Sequence, residues 1–213
     1  MESYEIVYEA VKRELSEKRF RHSVGVMERC VDFARANGAD VEKARLIGIA
    51  HDIAKEIPKE ERVRMAVAHG IELDEMEKEN TSLIHAKLGA EICRERFGFT
   101  DDMCQAIAAH TTAKEYMNDL AKILYLSDYC EPNREFDTTP IYELGKRNLE
   151  DGFFAALIGK IKYTLDCHSK LHMDSIKAYN RFLEERQFSI TSKNNATING
   201  VRDKNSKADE EVR

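Results

Sequence analysis

Five segments of the sequence carry histidine or aspartate on an otherwise apolar helix face. In the first, His22 continues the three-to-four-residue spacing of Val26 and Cys30, which lies on one side of a helix. Imidazole nitrogens and carboxylate oxygens at such inward positions are ligands that proteins offer to first-row metal ions. The inward-facing residues are His22, the adjacent pair His51 and Asp52, His85, His110 and Asp128.

Each of these positions also has an ordinary structural explanation. A neutral core histidine can be satisfied by a backbone carbonyl. A buried aspartate is harder to explain, because its charge needs a partner and the sequence offers no matching set of inward lysines or arginines. We therefore interpret the five segments together as a metal site. His69 and His168 lie near helix ends, where interaction with the helix dipole is sufficient explanation.

The elements that must position these residues are predicted to be helices. Apolar residues recur every three to four positions and no strand-like alternation of useful length is present, which indicates an all-α fold. The predicted helices cover about 2–15, 18–37, 41–55, 59–69, 82–97, 101–110, 115–130, 140–147, 149–168 and 174–187. From Ser189 the chain becomes polar, so we predict one domain over 1–188 and a flexible tail over 189–213.

Composition excludes several classes of function. The formal net charge of -6 gives no support for non-specific nucleic-acid binding. An apolar run of about 18 residues, as a membrane span requires, is absent, so we expect a cytoplasmic protein without membrane attachment. Five widely spaced cysteines without a C-x-x-C pair predict reduced, mostly buried thiols.

The quartet His22, His51-Asp52 and Asp128 resembles the H…HD…D signature of the HD superfamily. In chain order, KRFRHSVGV, GIAHDIAKEI, SLIHAKLGAEI, IAAHTT, ILYLSDYCEPNR and LHMDSIKAYN resemble the segments of YqeK-type HD hydrolases, over roughly residues 10–183. Those enzymes split diadenosine tetraphosphate symmetrically into two ADP with a pair of iron-like ions. The resemblance implies an HD-domain helical bundle around a dinuclear metal site. Ala86 and Ala113 stand where that family usually has glycine.

The resemblance also implies individual roles. Asp52 would bridge two metal ions, and His85 and His110 would hold the second. The remaining ligands, which complete the first ion's site, are His22, His51 and Asp128. The implied nucleotide-binding residues are His22, Asp52, Lys55, His85, His110, Thr111, Asp128, Arg134, Leu171, His172, Met173, Asp174, Ser175 and Ile176. Asp174 or Ser175 would double as the cap of the last helix.

The chemistry of this set can be argued from its atoms. Imidazoles and carboxylates without a thiolate favour octahedral or five-coordinate first-row ions such as iron, manganese or cobalt over a closed structural zinc site. Among these ions, the resemblance implies iron. A metal-bound hydroxide would then attack phosphorus. Lys55 stands one helical turn after His51 and Arg134 follows the Asp128 helix, so both are candidates to neutralise phosphate charge. We predict Asp52, Lys55 and Arg134 as catalytic; a solvated lysine and a surface arginine are the alternatives.

The expected function is metal-dependent hydrolysis of diadenosine tetraphosphate. The expected partners are the nucleotide substrate and an ADP- or GDP-like product, with no nucleic acid; the sequence leaves open whether the chain is a monomer or a homodimer. One alternative is an HD phosphohydrolase of other (deoxy)nucleotides or cyclic nucleotides. Another is a non-catalytic nucleotide-sensing module, against which six intact ligands argue.

Overall fold

The computed structural model of the chain describes residues 1–187. Across that range the backbone forms eleven α-helices and no strand, which confirms the predicted all-α fold. The helices are α1 Tyr4–Glu14, α2 Glu17–Asn37, α3 Val41–Ala50, α4 Lys59–Ala68, α5 Glu75–Glu79, α6 Ile84–Phe97, α7 Asp101–Ala109, α8 Asp119–Tyr129, α9 Thr139–Arg147, α10 Leu149–Asp166 and α11, which covers 173–187. The predicted tail over 189–213 lies outside the described residues.

The structure differs from the predicted helices in three places. The helix expected over 41–55 ends at Ala50 and continues as tighter turns. Helix α5 was not predicted, although Asp74 and Glu77 form a reciprocal capping box at its start. Helix α8 begins at Asp119 rather than 115, because the Asn118 side chain accepts the N–H of Ala121 and caps the helix there.

The core is built around α2. This helix packs against α3, α8 and α9, while α7 packs between α6 and α8. Gly48 on α3 permits a close approach, since a Cβ there would lie 2.6 Å from the Cα of Met27 on α2. The approach brings the rings of His22 and His51 to 5.4 Å between centroids. The helix packing thus joins two segments that carry predicted ligands.

Composition also led to expectations about the cysteines and about membrane spans. All five cysteines are free thiols; four are buried and Cys167 is exposed, as expected. In the part of the chain that the structure describes, no helix has the length and apolar character that crossing a membrane requires.

Candidate metal centre

The structure brings all six predicted ligands together where several helices end. His51 and His110 directly follow α3 and α7, and Asp128 lies in the last turn of α8. Ligand atoms of His22, His51 and Asp128 lie within 4.8 Å of one another, as do those of His51, Asp52 and His110. The remaining ligand joins the second group, because His85 Nε2 lies 3.0 Å from Asp52 Oδ1.

Three of the histidines are held in the same way. His51, His85 and His110 each turn Nδ1 toward the main-chain carbonyl three residues earlier. The accepting oxygens are those of Gly48 at 2.8 Å, Ser82 at 2.5 Å and Ile107 at 2.7 Å. Because a carbonyl can only accept a hydrogen bond, the proton resides on Nδ1. Nε2 of each ring therefore presents a lone pair to the centre.

These lone pairs converge with a carboxylate in a buried space. His85 Nε2 lies 3.1 Å from His110 Nε2, so two acceptors face each other. His51 Nε2 and Asp52 Oδ1 are buried and have no hydrogen-bond partner among the described residues. Acceptors packed this closely are stabilised by a cation between them. The residues therefore fit a divalent metal ion.

The protonation state of the rings agrees with that fit. Burial lowers the pKa of His51 to about 3, against the opposing charge of Asp52. Burial likewise lowers the pKa of His85 to about 4, although its contact with Asp52 works in the opposite direction. Both imidazoles are neutral at pH 7. Their lone pairs are available to a metal without loss of a proton.

The other end of the centre is organised around Asp128. Its Oδ1 lies 2.8 Å from Arg134 Nη2 and 3.3 Å from His22 Nε2, and Oδ2 lies 2.9 Å from Lys160 Nζ. Burial alone would raise the pKa of the Asp128 carboxyl, but Lys160, His22 and Arg134 hold that pKa well below its ordinary value. Asp128 is therefore a carboxylate at pH 7. The buried Glu131 lies 3.5 Å from His22 Nδ1 and orients that ring.

Cations surround the acceptors. Lys55 Nζ lies 3.2 Å from His85 Nε2, and burial lowers the pKa of the Lys55 ammonium, although the charge of Asp52 opposes this. Arg19 Nη1 donates to Asp52 Oδ2 at 2.9 Å. Positive charge of this kind beside a metal centre favours a polyanionic ligand.

A cleft of about 1130 Å³ opens over the centre. It is lined by seven of the fourteen residues predicted to bind nucleotide. These are His22, Asp52, Lys55, His110, Thr111, Asp128 and Arg134. His85 lies beneath the lining, against Asp52. The cleft is large enough for a nucleotide and is continuous with the candidate ligands.

The segment Leu171–Ile176, which was predicted to bind nucleotide, is not part of the lining of this cleft. The hydroxyl of Ser175 donates to the carbonyl of Thr112 at 2.7 Å, and Asp174 forms an ion pair with Lys114. The predicted cap is wrong: α11 begins at 173, and Nδ1 of His172 accepts the N–H of Asp174 at 3.2 Å. The segment is thus attached to the loop that follows His110.

Three residues of the site were not predicted: Arg19, Glu131 and Lys160. Arg19 precedes His22 by three positions in KRFRH, so helical spacing could have placed both on one face. Lys160 lies on α10, and no local pattern connects it with Asp128. Residues Asp74, Glu77 and His172 form a further acidic group, but Lys87 pairs with Glu77 and His172 with Asp74, so its charges are already compensated.

The helical fold and the buried His-Asp pair with its inward histidines define the HD class of protein. A family model described as HD domain matches residues 19–133. The chain belongs to the HD-domain family.

Comparison with individual relatives shows which HD-domain proteins this chain resembles. The chain is 36% identical over 179 residues to the symmetrical bis(5'-nucleosyl)-tetraphosphatase of Halalkalibacterium halodurans, covering 83% of this chain and 95% of the relative. It is 32% identical over 172 residues to the protein of the same name from Bacillus subtilis, covering 80% and 92%. A crystal structure from Clostridium acetobutylicum, described as that of a predicted HD superfamily hydrolase involved in NAD metabolism, matches with TM-score 0.82 at 33% identity, covering 87% of this chain and 99% of that chain. The YqeK-type resemblance is confirmed.

Proposed function

We propose that this protein hydrolyses diadenosine tetraphosphate symmetrically, giving two ADP. The observation that carries the proposal is the convergence of four histidines and two carboxylates beneath a cleft whose lining also contains lysine and arginine. The similarity to two symmetrical tetraphosphatases over nearly their full lengths supports the choice of substrate. We assign the catalytic unit to residues 1–188.

The proposed metal centre is dinuclear. Asp52 lies between the two groups of ligands, because it contacts His85 and His110 on one side and Arg19 and His51 on the other. The proposed ligands are His22, His51, Asp52, His85, His110 and Asp128. The mixed nitrogen and oxygen set suits iron, manganese or cobalt, and of these we propose iron. When bound, such ions would activate water for attack and polarise phosphoryl oxygens.

The protein's own residues would bind and orient the polyphosphate. The proposed catalytic residues are the cations Lys55 and Arg134 and the central carboxylate Asp52. Lys55 lies in the cleft wall beside His85, where its ammonium can contact a phosphoryl oxygen. Arg134 contacts Asp128 through Nη2 and Nε, which fixes the guanidinium plane at the cleft wall. The departing ADP is a stable anion and needs little proton donation.

One of the two nucleosides of the substrate would contact the segment Leu171–Ile176. That segment is bonded to the His110 loop through Ser175 and Thr112, so substrate contact there would be transmitted to a ligand-bearing loop. Thr111 lines the cleft between the two regions. Exposed Met173 offers an apolar surface to a base or ribose.

The proposal is tested by separating reaction products. Purified protein, loaded anaerobically with Fe(II) or supplied with Mn(II) or Co(II), is incubated with diadenosine tetraphosphate, and nucleotides are resolved by anion exchange. ADP alone is the expected product. ATP plus AMP would contradict the cleavage position, and no turnover with any of the metals would contradict the proposed activity. A parallel panel of (deoxy)nucleoside triphosphates and cyclic nucleotides tests the alternative substrates.

A further inference from the structure

Two exposed aromatic side chains line one wall of the cleft. Phe136 is 49% exposed and Tyr163 is 70% exposed, which places them among the few large apolar residues open to solvent in the described chain. Both belong to the cleft lining, together with the half-buried Tyr129. Exposure of such rings costs hydrophobic free energy, so their concentration at the mouth of a binding cleft indicates a ligand with an apolar face.

The wall is held in place by packing. Tyr129 lies across Gly159 of α10, where a Cβ would collide with the tyrosine ring and hydroxyl. Phe136 packs edge-on against Tyr129, with 5.4 Å between centroids and 62° between planes. One face of Phe136 therefore remains available. We call Tyr129, Phe136 and Tyr163 the aromatic wall.

The aromatic wall continues directly from cations at the metal centre. Arg134, two residues before Phe136, pairs with Asp128 Oδ1. Lys160, three residues before Tyr163 on the same helix face, pairs with Asp128 Oδ2. A ligand with its phosphate beside Asp128 would therefore extend past these cations toward flat apolar rings. A nucleotide has this order of charges and surfaces.

We propose that the aromatic wall is the subsite for the second nucleobase of the dinucleoside polyphosphate, the base farther from Leu171–Ile176. The inference rests on the proposed function, because only a substrate with two bases needs a second base subsite. Aromatic rings stack on any base, so the subsite would accept adenine or guanine with little discrimination. The phosphate chain would lie between the two subsites, across Lys55 and the metal ligands.

The test compares a substrate with two bases and one with a single base. Phe136→Ala and Tyr163→Ala are assayed with diadenosine tetraphosphate and with adenosine 5'-tetraphosphate, the latter as substrate or as competitive inhibitor. Each substitution is expected to lower kcat/KM for the two-base compound about tenfold, as loss of one stacked base does, and to change the one-base compound less than about twofold. Tyr116→Ala is the matched control, since Tyr116 is 70% exposed outside the cleft.

Equal losses of kcat/KM with both compounds, or no loss with either, would overturn the proposed subsite.

A second readout does not depend on turnover. The chain has no tryptophan, so Phe136→Trp introduces into the wall a single tryptophan whose fluorescence can be excited apart from that of the tyrosines. Its fluorescence should be quenched by diadenosine tetraphosphate at a concentration about tenfold lower than by adenosine 5'-tetraphosphate. Identical quenching curves would overturn the proposal even if the chain hydrolysed neither compound, a result that would separately refute the proposed function.

Discussion

At the scale of single residues, the buried histidines obtain their orientation from the backbone. A carbonyl three residues earlier fixes the Nδ1 proton of His51, His85 and His110, so no additional side chain is needed to select the tautomer. His22 differs because it lies within α2, where the carbonyls are engaged in the helix. Glu131 takes the orienting role there. This difference explains why a buried glutamate accompanies only that ligand.

Asp52 is the central carboxylate of the proposed metal centre. Asp52→Asn replaces one carboxylate oxygen with an amide that cannot bridge cations, and it removes the charge that Arg19 contacts. We expect metal affinity to fall by more than about 100-fold, with turnover falling in parallel. Elemental analysis after dialysis measures the bound metal. Asp101→Asn, an exposed change outside the cleft, is the control; a D52N protein that retained full metal would contradict the proposed ligand set.

Lys160 is expected to act through the two proposed metal ligands that it contacts. Its Nζ donates to Asp128 Oδ2 at 2.9 Å and to the carbonyl of His110 at 3.1 Å. Lys160→Met keeps the length but removes the charge, so metal affinity and kcat/KM should each fall about tenfold, because Asp128 loses the cation that positions its carboxylate. Steady-state kinetics and metal analysis give both quantities. Lys122→Met, which breaks the ion pair with Glu150, should leave both unchanged; a similar fall there would point to a general structural effect.

The residues found from sequence and those missed differ in a physical way. His22, His85 and Asp128 each continue an apolar helical spacing, so a local pattern reveals their inward direction. Lys160 reaches Asp128 only because α10 packs against α8, and no spacing along the chain encodes that contact. Arg19 lies in the first turn of α2, where the sequence around it also fits a solvated cation, and only its spacing from His22 indicates the inward face.

At the scale of elements, the end of α3 shapes the centre. Ile53 and Ala54 are buried and continue the helical spacing, which is why the helix was predicted to reach 55. The backbone instead tightens to three-residue hydrogen bonds, from Ile53 to Ala50 and from Lys55 to Asp52. Apolar spacing cannot distinguish these turns from a helix, because both bury the same residues. The tighter turn directs His51 and Asp52 to the same space.

The contact between α9 and α10 depends on two glycines. A Cβ on Gly152 would lie 2.8 Å from the backbone nitrogen of Gly145 and 3.0 Å from Leu126. Gly152→Ala is therefore expected to lower the free energy of unfolding by about 1–3 kcal/mol, as overpacking does. Urea denaturation monitored by circular dichroism measures the change. Lys162→Ala on the exposed side of α10 is the control; equal stability of the Gly152→Ala protein would contradict the close approach of the two helices.

At the scale of the whole molecule, four cations from distant parts of the chain meet at one cleft, where three of them pair with Asp52 or Asp128. The chain carries a net charge of -6, yet Arg19, Lys55, Arg134 and Lys160 all line one cleft. This arrangement would hold a polyanion at one place, while the net negative charge gives no support for general attraction to nucleic acid. Composition predicted the lack of general attraction to nucleic acid. The grouping of the four cations could not be predicted without the fold, because they come from distant parts of the sequence.

The buried histidines should also make the stability of the metal-free protein depend on pH. The pKa values of His51 and His85 are lowered from 6.5 to about 3 and about 4, so below pH 6.5 the unfolded chain binds two protons that the folded chain does not. Stability is therefore fully present above pH 6.5 and is lost as pH falls toward 4, with a slope of up to about 2.7 kcal/mol per pH unit for two protons. Urea unfolding at half-unit pH intervals measures this slope. His85→Gln should halve it, and exposed His168→Gln should leave it unchanged, whereas a flat profile between pH 6.5 and 4.5 would show that these imidazoles are not buried in their neutral form.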